Sequence, residues 1–244
     1  MSYCFIIPCY NHSTTLQATI DGLLGFELPI IVIDDGSAAE HAARIRNVCN
    51  QYAQVTLLNQ SPNAGKGEAV IAGIRLAKLQ GYSHALQVDA DGQHNLDDIP
   101  AMLRASQQNP TALISGRPIY DDSVPKARLY GRYATHVWVW IETLSLDIPD
   151  SMCGFRIYPV ASFCDLADRV RIGRRMDFDT EIMVRLYWRK VPVIFIPTRV
   201  IYPEDGTSNF QVWRDNVMIS WMHTKLFFGM LWRSPMLLAR KFSG

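Results

Sequence analysis

Short apolar runs alternate with segments of helical periodicity through the first part of the chain. The helical segments carry apolar residues three and four positions apart, as at Leu16, Ile20 and Leu23. The apolar runs have the length and composition of buried strands and occupy residues 3–7, 29–33, 55–58, 84–88 and 112–115. Because parallel strands need crossover connections, this alternation predicts an α/β fold with a Rossmann-like, mostly parallel sheet and helices on both faces.

The remaining chain shows a less regular pattern, without an internal repeat or a Gly/Ser-rich linker. It predicts a helix over 130–146, a strand over 155–158, a helix over 178–189 and paired strands over 193–202. We therefore predict a single domain over residues 1–209, with a first half at 1–118, a second half at 119–209, and a C-terminal segment at 210–244.

The C-terminal segment is dense in aromatic and aliphatic residues, among which Lys and Arg are interspersed. It includes Trp213, Trp221 and Trp232, with Arg233 and Arg240 close by. Its uncharged apolar stretches are too short to span a bilayer. Aromatic residues mixed with cations are typical of a helix that lies in the membrane interface, so we predict an amphipathic, membrane-associating helix. The alternative is a core helix with a basic end.

The overall composition is that of a folded globular protein. The chain of 244 residues is 48% apolar and 19% charged, and its formal net charge of +1 provides no general attraction to nucleic acid. The five cysteines are scattered without Cys-x-x-Cys spacing, which argues against a disulfide framework or a zinc site. Because the first residues also lack a secretory signal pattern, we predict a cytoplasmic protein with no nucleic-acid partner.

Two acids, Asp89 and Asp91, directly follow the apolar run at 84–88. In a parallel sheet, such positions lie at the carboxyl edge, where ligands bind. Two carboxylates at this spacing can share Mg²⁺ or Mn²⁺, and Gln93 offers a further oxygen. The competing interpretation is a turn in which Asp side chains accept hydrogen bonds from backbone amides. These residues alone leave both interpretations open.

Two more polar clusters follow the first and second apolar runs. The second run ends in Asp34 and Asp35, where a carboxylate can accept a nucleobase N–H. The first run stops at Pro8 and continues into Tyr10 and Asn11, which places an aromatic ring where it can stack on a base. Each cluster alone is compatible with an ordinary loop or a core tyrosine. Together with the first pair of acids, however, all three converge on one predicted edge.

In this order and spacing, the three clusters resemble the inverting family 2 glycosyltransferases of the GT-A fold. The marks of that family are a Pro-x-Tyr-Asn start, an Asp-Asp-Gly-Ser loop and an Asp-x-Asp metal motif. The segments at 89–94 and 63–67 are most similar to the corresponding motifs of the branch that includes dolichol-phosphate mannose synthase and bacterial polyprenyl-phosphate glycosyltransferases. The resemblance covers residues 3–120 most firmly. It implies that the first half binds a GDP- or UDP-sugar with Mg²⁺ or Mn²⁺, and that the second half binds a lipid acceptor.

The resemblance also implies roles for individual residues. Pro8, Tyr10 and Asp35 would hold the base and ribose. Asp89 and Asp91 would hold the metal and diphosphate, and Gln93 would bind the metal. The predicted nucleotide-sugar set further includes Asn11, Ala90 and Lys66.

The glycine-flanked Lys66 does not belong to a nucleotide-triphosphate loop, because Gln60 and Gly67 occupy the positions where that motif requires Gly and Ser or Thr. Glycines here are expected to let a helix begin close to the sheet, with the lysine reaching either a phosphate or solvent.

Four arginines in or near the second half are candidates for binding phosphate groups. Planar guanidinium groups bind phosphate in a bidentate manner. Arg117 and Arg156 are the stronger candidates for phosphate binding, since each follows a short apolar or glycine-containing turn element. Arg128 and Arg132 are the other two, and scattered arginines are otherwise ordinary surface residues.

Asp179 and Glu181 lie where an apolar helix is predicted to begin. Acids in a first helical turn are favoured by the helix dipole without any function. The functional interpretation is that one of them is the base that deprotonates an acceptor hydroxyl. A phosphate acceptor needs no base. The predicted catalytic set therefore contains Asp91, Asp179, Glu181 and Arg117, and the acceptor is either a polyprenyl phosphate or a hydroxyl on a lipid or carrier-bound chain.

We therefore predict a metal-dependent inverting glycosyltransferase at the inner face of a membrane, and two other classes remain. A nucleotidyltransferase normally has a Gly-rich, Arg-bearing loop after the first strand, which residues 8–11 do not provide. A non-catalytic nucleotide-sugar binding protein is the other class.

Overall fold

The computed structural model describes residues 1–119, 126–199 and 211–241, without the side chains of residues 126–130, 212 and 241. The strands are β1 (Tyr3–Cys9), β2 (Ile30–Asp35), β3 (Val55–Gln60), β4 (His84–Gln87), β5 (Leu113–Ile119), β6 (Arg156–Pro159) and β7 (Val193–Arg199). The helices are α1 (Leu16–Leu24), α2 (Ala39–Cys49), α3 (Lys66–Leu79), α4 (Ile99–Gln108), α5 (Lys126–Thr143), α6 (Val160–Arg169), α7 (Phe178–Trp188) and α8 (Val212–Lys241), with a 3₁₀ turn at Leu96–Asp98.

The seven strands form one sheet in the order β3-β2-β1-β4-β6-β5-β7. β1 is parallel to β2 and β4, and β5 is parallel to β7. β6 is antiparallel to both of its neighbours. The predicted α/β fold with a mostly parallel sheet is confirmed. The strands predicted over 193–202 are wrong in their pairing, because β7 pairs with β5 rather than within its own segment. Residues 200–202 lie outside the described ranges.

Buried apolar residues cover both faces of the sheet, which explains why the strands are continuous apolar runs. One core layer packs α3, α5, α6, α7 and α8 against the sheet, and the other packs α1, α2 and α4. Helix α6 was not predicted. Its first turns bury Val160, Phe163 and Cys164 at helical spacing, but the run is short and directly follows β6 at Pro159. A short apolar run of this kind is ambiguous in sequence.

Helix α8 packs against α5 and α7 and shares their core. One side of the helix buries Met222, Leu226, Met230 and Leu237. The C-terminal segment is therefore part of the single domain, although the boundary predicted between residues 209 and 210 lies outside the described residues. Within residues 1–119, 126–199 and 211–241, no helix is both long and apolar enough to cross a membrane.

The two sides of α8 lead to a prediction about stability. Leu226→Ala is expected to lower the free energy of unfolding by about 2–5 kcal/mol, because it removes a fully buried side chain. Leu231→Ala, on the exposed side of the same helix, is expected to change it by less than about 0.5 kcal/mol. Urea unfolding followed by circular dichroism measures both. Equal effects would contradict the packing of α8 into the core.

Candidate active site at the carboxyl edge of the sheet

The predicted polar clusters meet at one edge of the sheet. β1 lies between β2 and β4, and all three run parallel, so their carboxyl ends are neighbours. Tyr10 follows β1 and is half-buried, and Asp35 ends β2. Asp89 and Asp91 follow β4. β5 ends at the same edge, and Arg117, two residues before the end of that strand, is exposed. The structure thus brings together residues that were predicted from separate sequence segments to bind the nucleotide-sugar.

Asn11 joins the loops that follow β1 and β2. Its backbone N–H donates to Ser37 Oγ at 2.9 Å, and its side-chain Oδ1 accepts from the Ala38 N–H at 2.9 Å. Asn11 has a left-handed backbone with φ of 58°, which asparagine tolerates better than most residues. Its observed contacts are therefore structural, and its predicted role in binding a nucleotide-sugar stays a prediction. Pro8 lies beside Ile33 in the sheet register and is half-buried.

Asp35 is 2% exposed and organises the loop before α3. Its Oδ1 accepts from the Ala64 N–H at 2.9 Å, and its Oδ2 accepts from the Gly65 N–H at 2.7 Å and from Asn63 Nδ2 at 2.8 Å. Burial raises the pKa of the Asp35 carboxyl, and the two amide hydrogen bonds offset part of that rise. Both oxygens are thus engaged within the protein, and Asp35 positions the loop that leads into Lys66.

The two glycines around Lys66 are required by close packing against the segment before α7. Gly65 has φ of 106°, and a Cβ there would lie 2.5 Å from the carbonyl oxygen of Arg174. A Cβ on Gly67 would lie 2.5 Å from Cβ of Phe178 and 2.8 Å from the carbonyl oxygen of Gly173. These contacts fit the structural role expected for the glycines.

Lys66 places its ammonium between two carboxylates. The Nζ atom lies 2.8 Å from Oδ2 of Asp89 and 3.2 Å from Oδ2 of Asp179. The three side chains are only 21%, 19% and 10% exposed, so solvent screens these pairs weakly. Burial alone would lower the pKa of Lys66, but the charges of Asp179 and Asp89 outweigh it and raise that pKa above its ordinary value. The ammonium therefore makes ion pairs with Asp89 and Asp179, while about a fifth of the lysine side chain remains exposed.

Asp89 is held from both sides. Its Oδ2 pairs with Lys66, and its Oδ1 accepts from Gln87 Nε2 at 3.0 Å. Its backbone N–H donates to Nδ1 of His94 at 3.2 Å, and the ring of His94 stacks on Phe155. Burial favours the neutral acid, but the ammonium of Lys66 overcomes this and holds the pKa of Asp89 well below its ordinary range. Asp89 is therefore a charged and fixed carboxylate.

Asp91 shows the turn geometry that was the competing interpretation of this motif. Its Oδ1 accepts from the Gln93 N–H at 3.0 Å, and Gly92 between them has φ of 73°. Its Oδ2 accepts no hydrogen bond from the described part of the chain, and the side chain is half-buried. The carbonyl of Ala90 accepts from Thr15 Oγ1, which ties the motif to the start of α1. One Asp91 oxygen therefore shapes the turn, and the other remains available at the sheet edge.

Two residues of the site were missed by sequence reasoning. Gln87 is fully buried and links Asp89 to the hydroxyl of Tyr158, whose OH donates to Gln87 Oε1 at 3.2 Å. Gly154 lies so close that a Cβ there would be 2.7 Å from Lys66 Nζ and 3.0 Å from Asp89 Oδ2. A signal existed for Gln87, because a polar residue inside an apolar strand needs a partner. Nothing in the sequence places Gly154 against the lysine.

The structure separates the two predicted candidates for a general base. Asp179 faces Lys66, and its Oδ1 is buried and accepts no hydrogen bond from the described residues. Glu181 is fully buried elsewhere. Its carboxylate accepts from the Gly173 N–H at 2.8 Å and from Arg185 Nε at 2.8 Å, and Lys225 of α8 lies 3.4 Å away. These contacts give Glu181 a structural role, so its predicted catalytic role is not supported by its position.

The four candidate arginines differ in their surroundings. Arg117 is exposed at the sheet edge. Arg132 makes a bidentate pair with Asp150, with Nε at 2.7 Å from Oδ2 and Nη2 at 3.1 Å from Oδ1. Arg156 is fully buried and donates to the carbonyl oxygens of Asp179 and Ser151, both at 2.7 Å. It holds the start of α7 and is not placed to bind an external phosphate. The side chain of Arg128 lies outside the described residues.

A family model described as glycosyl transferase family 2 matches residues 4–164, about two thirds of the chain. The chain belongs to glycosyl transferase family 2. The matched range contains the three clusters at the sheet edge and Lys66. The family predicted from those clusters is therefore confirmed, whereas Asp179 and Glu181 lie beyond the matched range.

Two curated relatives show how the likeness extends along the chain. A dolichyl-phosphate beta-glucosyltransferase of Trichomonas vaginalis is 27% identical in an alignment of 228 positions that covers 85% of this chain and 66% of the relative. A UDP-N-acetylglucosamine–dolichyl-phosphate N-acetylglucosaminyltransferase of Methanococcus voltae is 24% identical in an alignment of 242 positions that covers 93% of each protein. The chain spans about three fifths to two thirds of the length of the Trichomonas glucosyltransferases that it matches.

A solved structure supports the fold assignment. Glucosyl-3-phosphoglycerate synthase from Mycobacterium tuberculosis, in complex with Mn²⁺, UDP-glucose and phosphoglyceric acid, superposes with a TM-score of 0.68. The superposition covers 94% of this chain and 79% of that chain at 11% sequence identity. The predicted GT-A fold is therefore confirmed by structure as well as by sequence.

The different surroundings of Asp179 and Glu181 lead to a stability prediction. Glu181→Gln is expected to lower the free energy of unfolding by about 1–3 kcal/mol, since it removes the buried charge that accepts from the Gly173 N–H and pairs with the Arg185 guanidinium. Asp179→Asn is expected to stay within about 1 kcal/mol of the wild type, because Lys66 keeps Asp89 as its partner. Chemical unfolding measures the two variants side by side. A larger loss for Asp179→Asn would refute the assignment of Glu181 as the structural acid.

Proposed function

We propose that this protein transfers a sugar from a nucleotide diphosphate sugar to a lipid phosphate at a membrane surface, with Mg²⁺ or Mn²⁺. The observation that carries the proposal is the meeting of Asp89, Asp91 and Lys66 at the carboxyl edge of the sheet in a family 2 chain. The relatives from Trichomonas vaginalis and Methanococcus voltae are named for transfer to dolichyl phosphate. A uridine donor is favoured over a guanosine donor, because the second relative is named for UDP-N-acetylglucosamine.

The residues present fit a divalent cation that is shared with the donor. Carboxylate oxygens suit Mg²⁺ and Mn²⁺, which usually keep waters and bridge to substrate phosphates. Asp91 has one oxygen without a hydrogen bond among the described residues, and Asp89 lies two residues before it. The described residues contain no group of three or more His, Cys, Asp or Glu side chains suited to a metal. The diphosphate would therefore supply the missing ligands. When bound, the cation would neutralise the charge that develops on the leaving diphosphate.

The acceptor determines whether a general base is needed. An acceptor phosphate oxygen is already a nucleophile, so it could attack C1 of the sugar in one inverting displacement. Arg117 is exposed at the sheet edge and is suited to orient such a phosphate. For a hydroxyl acceptor, Asp179 is the better candidate for the base, because Glu181 is enclosed by its own partners. A lipid or carrier-bound hydroxyl is therefore the second candidate acceptor.

An exposed apolar face on two packed helices supports membrane association. On α8, the exposed residues recur at spacings of four and seven, so they lie along one side of the helix. Trp138 of α5 contacts His223 and Phe227 of α8, which makes the two helices one surface. The exposed members of this α5–α8 apolar face are Tyr133, Val137, Trp138, Ile141, Trp213, Val217, Trp221, Phe228, Leu231, Trp232, Met236 and Leu238. We propose that this face lies in the headgroup region of a bilayer.

The cations of α8 contribute less to this face than their number in the sequence implied. Lys225 pairs with Glu181, and Arg233 lies over the ring of Trp188 at 4.6 Å from its centroid. Arg240 donates to the carbonyl oxygens of Tyr187 and Trp188. These side chains hold α8 against α7. The apolar residues rather than the cations are therefore the main basis for membrane binding.

The proposed activity leads to a direct transfer experiment. Radiolabelled UDP-sugars and GDP-sugars are incubated with a polyprenyl phosphate, and the labelled lipid is extracted and counted. Transfer is expected to require Mg²⁺ or Mn²⁺, and Asp91→Ala is expected to lower kcat/KM by about 100-fold or more, as loss of a charge-stabilising group does. Leu79→Ala, at an exposed position far along α3, serves as the control. Full activity with a chelator, or in Asp91→Ala, would refute the metal role.

The same assay separates the two acceptor classes through Asp179→Asn. This variant is expected to retain most of its activity with a polyprenyl phosphate, because that acceptor needs no proton removed. A loss of about 100-fold or more, with transfer to a hydroxyl lipid in the wild type, would instead identify Asp179 as the base. Tight binding of a nucleotide-sugar without transfer to any acceptor would favour a non-catalytic binding protein.

Membrane association leads to a vesicle-binding prediction. Replacing Trp213, Trp221 and Trp232 together by serine is expected to weaken binding to phosphatidylcholine–phosphatidylglycerol vesicles by at least about tenfold, since large apolar side chains contribute about 1.5–3 kcal/mol each when fully removed from water. Leu79→Ser removes an equally exposed apolar residue outside the face and is the control. Flotation in a density gradient measures the bound fraction. Equal binding by the triple variant and the control would refute the assignment of this face.

A further inference from the structure

Lys66 contacts one of the two carboxylates of the proposed metal site. Its ammonium lies 2.8 Å from Oδ2 of Asp89 and 3.2 Å from Oδ2 of Asp179. The other Asp89 oxygen is already used by Gln87. The closeness of Gly154 leaves little room around this group, because a Cβ at that position would lie 2.7 Å from the ammonium nitrogen. The lysine therefore acts as an internal cation that neutralises Asp89.

A second cation at Asp89 would be opposed by this arrangement. A divalent ion bound to the Asp89 carboxylate would lie within a few ångströms of the ammonium, and the site is screened little by water. Among the described residues, no group of three or more His, Cys, Asp or Glu side chains is arranged to hold the ion. A nucleotide diphosphate changes both conditions, because it brings negative charge, accepts hydrogen bonds from the ammonium and supplies oxygen ligands.

We propose that Lys66 makes metal binding conditional on the donor, so that a divalent cation binds Asp89 and Asp91 tightly only together with a nucleotide diphosphate. This inference rests on the proposed function, since it assumes that the donor diphosphate enters at this edge. Lys66 is the internal counter-ion of Asp89, and with metal and nucleotide bound it would pair with the diphosphate instead. Binding of metal and binding of nucleotide are then thermodynamically coupled, and each increases the affinity of the other by the same factor.

The test measures Mn²⁺ binding with the full chain, using the electron paramagnetic resonance signal of free Mn²⁺. Titrations are made without nucleotide, with UDP and with GDP, and are corrected for Mn²⁺–nucleotide complexes in solution. The wild type is expected to bind Mn²⁺ at least about 100-fold more tightly with its nucleotide than without it, within the usual range of such coupling. Lys66→Met is expected to bind Mn²⁺ at least about tenfold more tightly than the wild type without nucleotide, and to show weaker coupling.

Three further variants locate the effect. Lys66→Arg keeps the positive charge and is expected to retain the weak nucleotide-free binding of the wild type. Lys78→Met removes an exposed charge at the far end of the same helix and is expected to change nothing. Adding Asp91→Ala to Lys66→Met is expected to abolish the gained affinity, which would place the ion at this site. If Lys66→Met fails to fold, as thermal unfolding would show, Lys66→Gln takes its place.

The inference is overturned if Lys66→Met binds Mn²⁺ no more tightly than the wild type without nucleotide, or if the wild type binds Mn²⁺ equally well with and without nucleotide. The readout needs neither a sugar nor an acceptor, so its outcome is separate from that of the transfer assay. Metal-dependent transfer together with unchanged Mn²⁺ affinity in Lys66→Met would refute this inference alone. Altered Mn²⁺ affinity without transfer to any acceptor would refute the proposed activity alone.

Discussion

The ion pairs of one buried lysine hold the proposed site together. Lys66 begins α3, Asp89 follows β4, and Asp179 lies in the first turn of α7, so a single ammonium joins three elements that are far apart in the chain. Isolated charges are costly to bury, and the pairing of the ammonium with the two carboxylates offsets part of that cost. Asp35 orders the loop that delivers Lys66, while Gln87 fixes Asp89 from the other side.

The first half of the fold was largely predictable, because its signals are local. Each strand is a continuous apolar run, and the polar clusters begin where those runs stop, which fixes their common edge once the sheet is parallel. The edge pairing of β7 and the helix after β6 were not predictable in the same way. Both depend on which strand lies beside which, and the apolar pattern of a short segment does not contain that information.

The roles of individual site residues were predictable only where chemistry and position coincide. Asp89 and Asp91 follow a strand, and their residue type already limits what they can bind. Glu181 and Arg156 were also selected by residue type, as a general base and as a phosphate ligand. Both side chains are buried, however, and bind partners inside the protein. Glu181 is bound by Arg185 one helical turn away and by Lys225 from α8, so only part of its surroundings comes from a distant part of the chain. Gly154 was missed because its importance lies in the space that it leaves free.

The reversed direction of β6 has a consequence for how the chain acquires its structure. β1 pairs with β2, and β2 with β3, over about 25 residues of chain, whereas β1 pairs with β4 through Tyr3 and His84, which are 81 positions apart. β6 returns to pair with β4, as Pro159 does with His84, and it lies between β4 and β5, which in turn pairs with β7. Pairings that close long stretches carry a larger entropic cost and form slowly. We therefore expect β1, β2 and β3 to pair early in folding, and the edge that carries Asp89 to form later, together with the contact between Asp179 and Lys66.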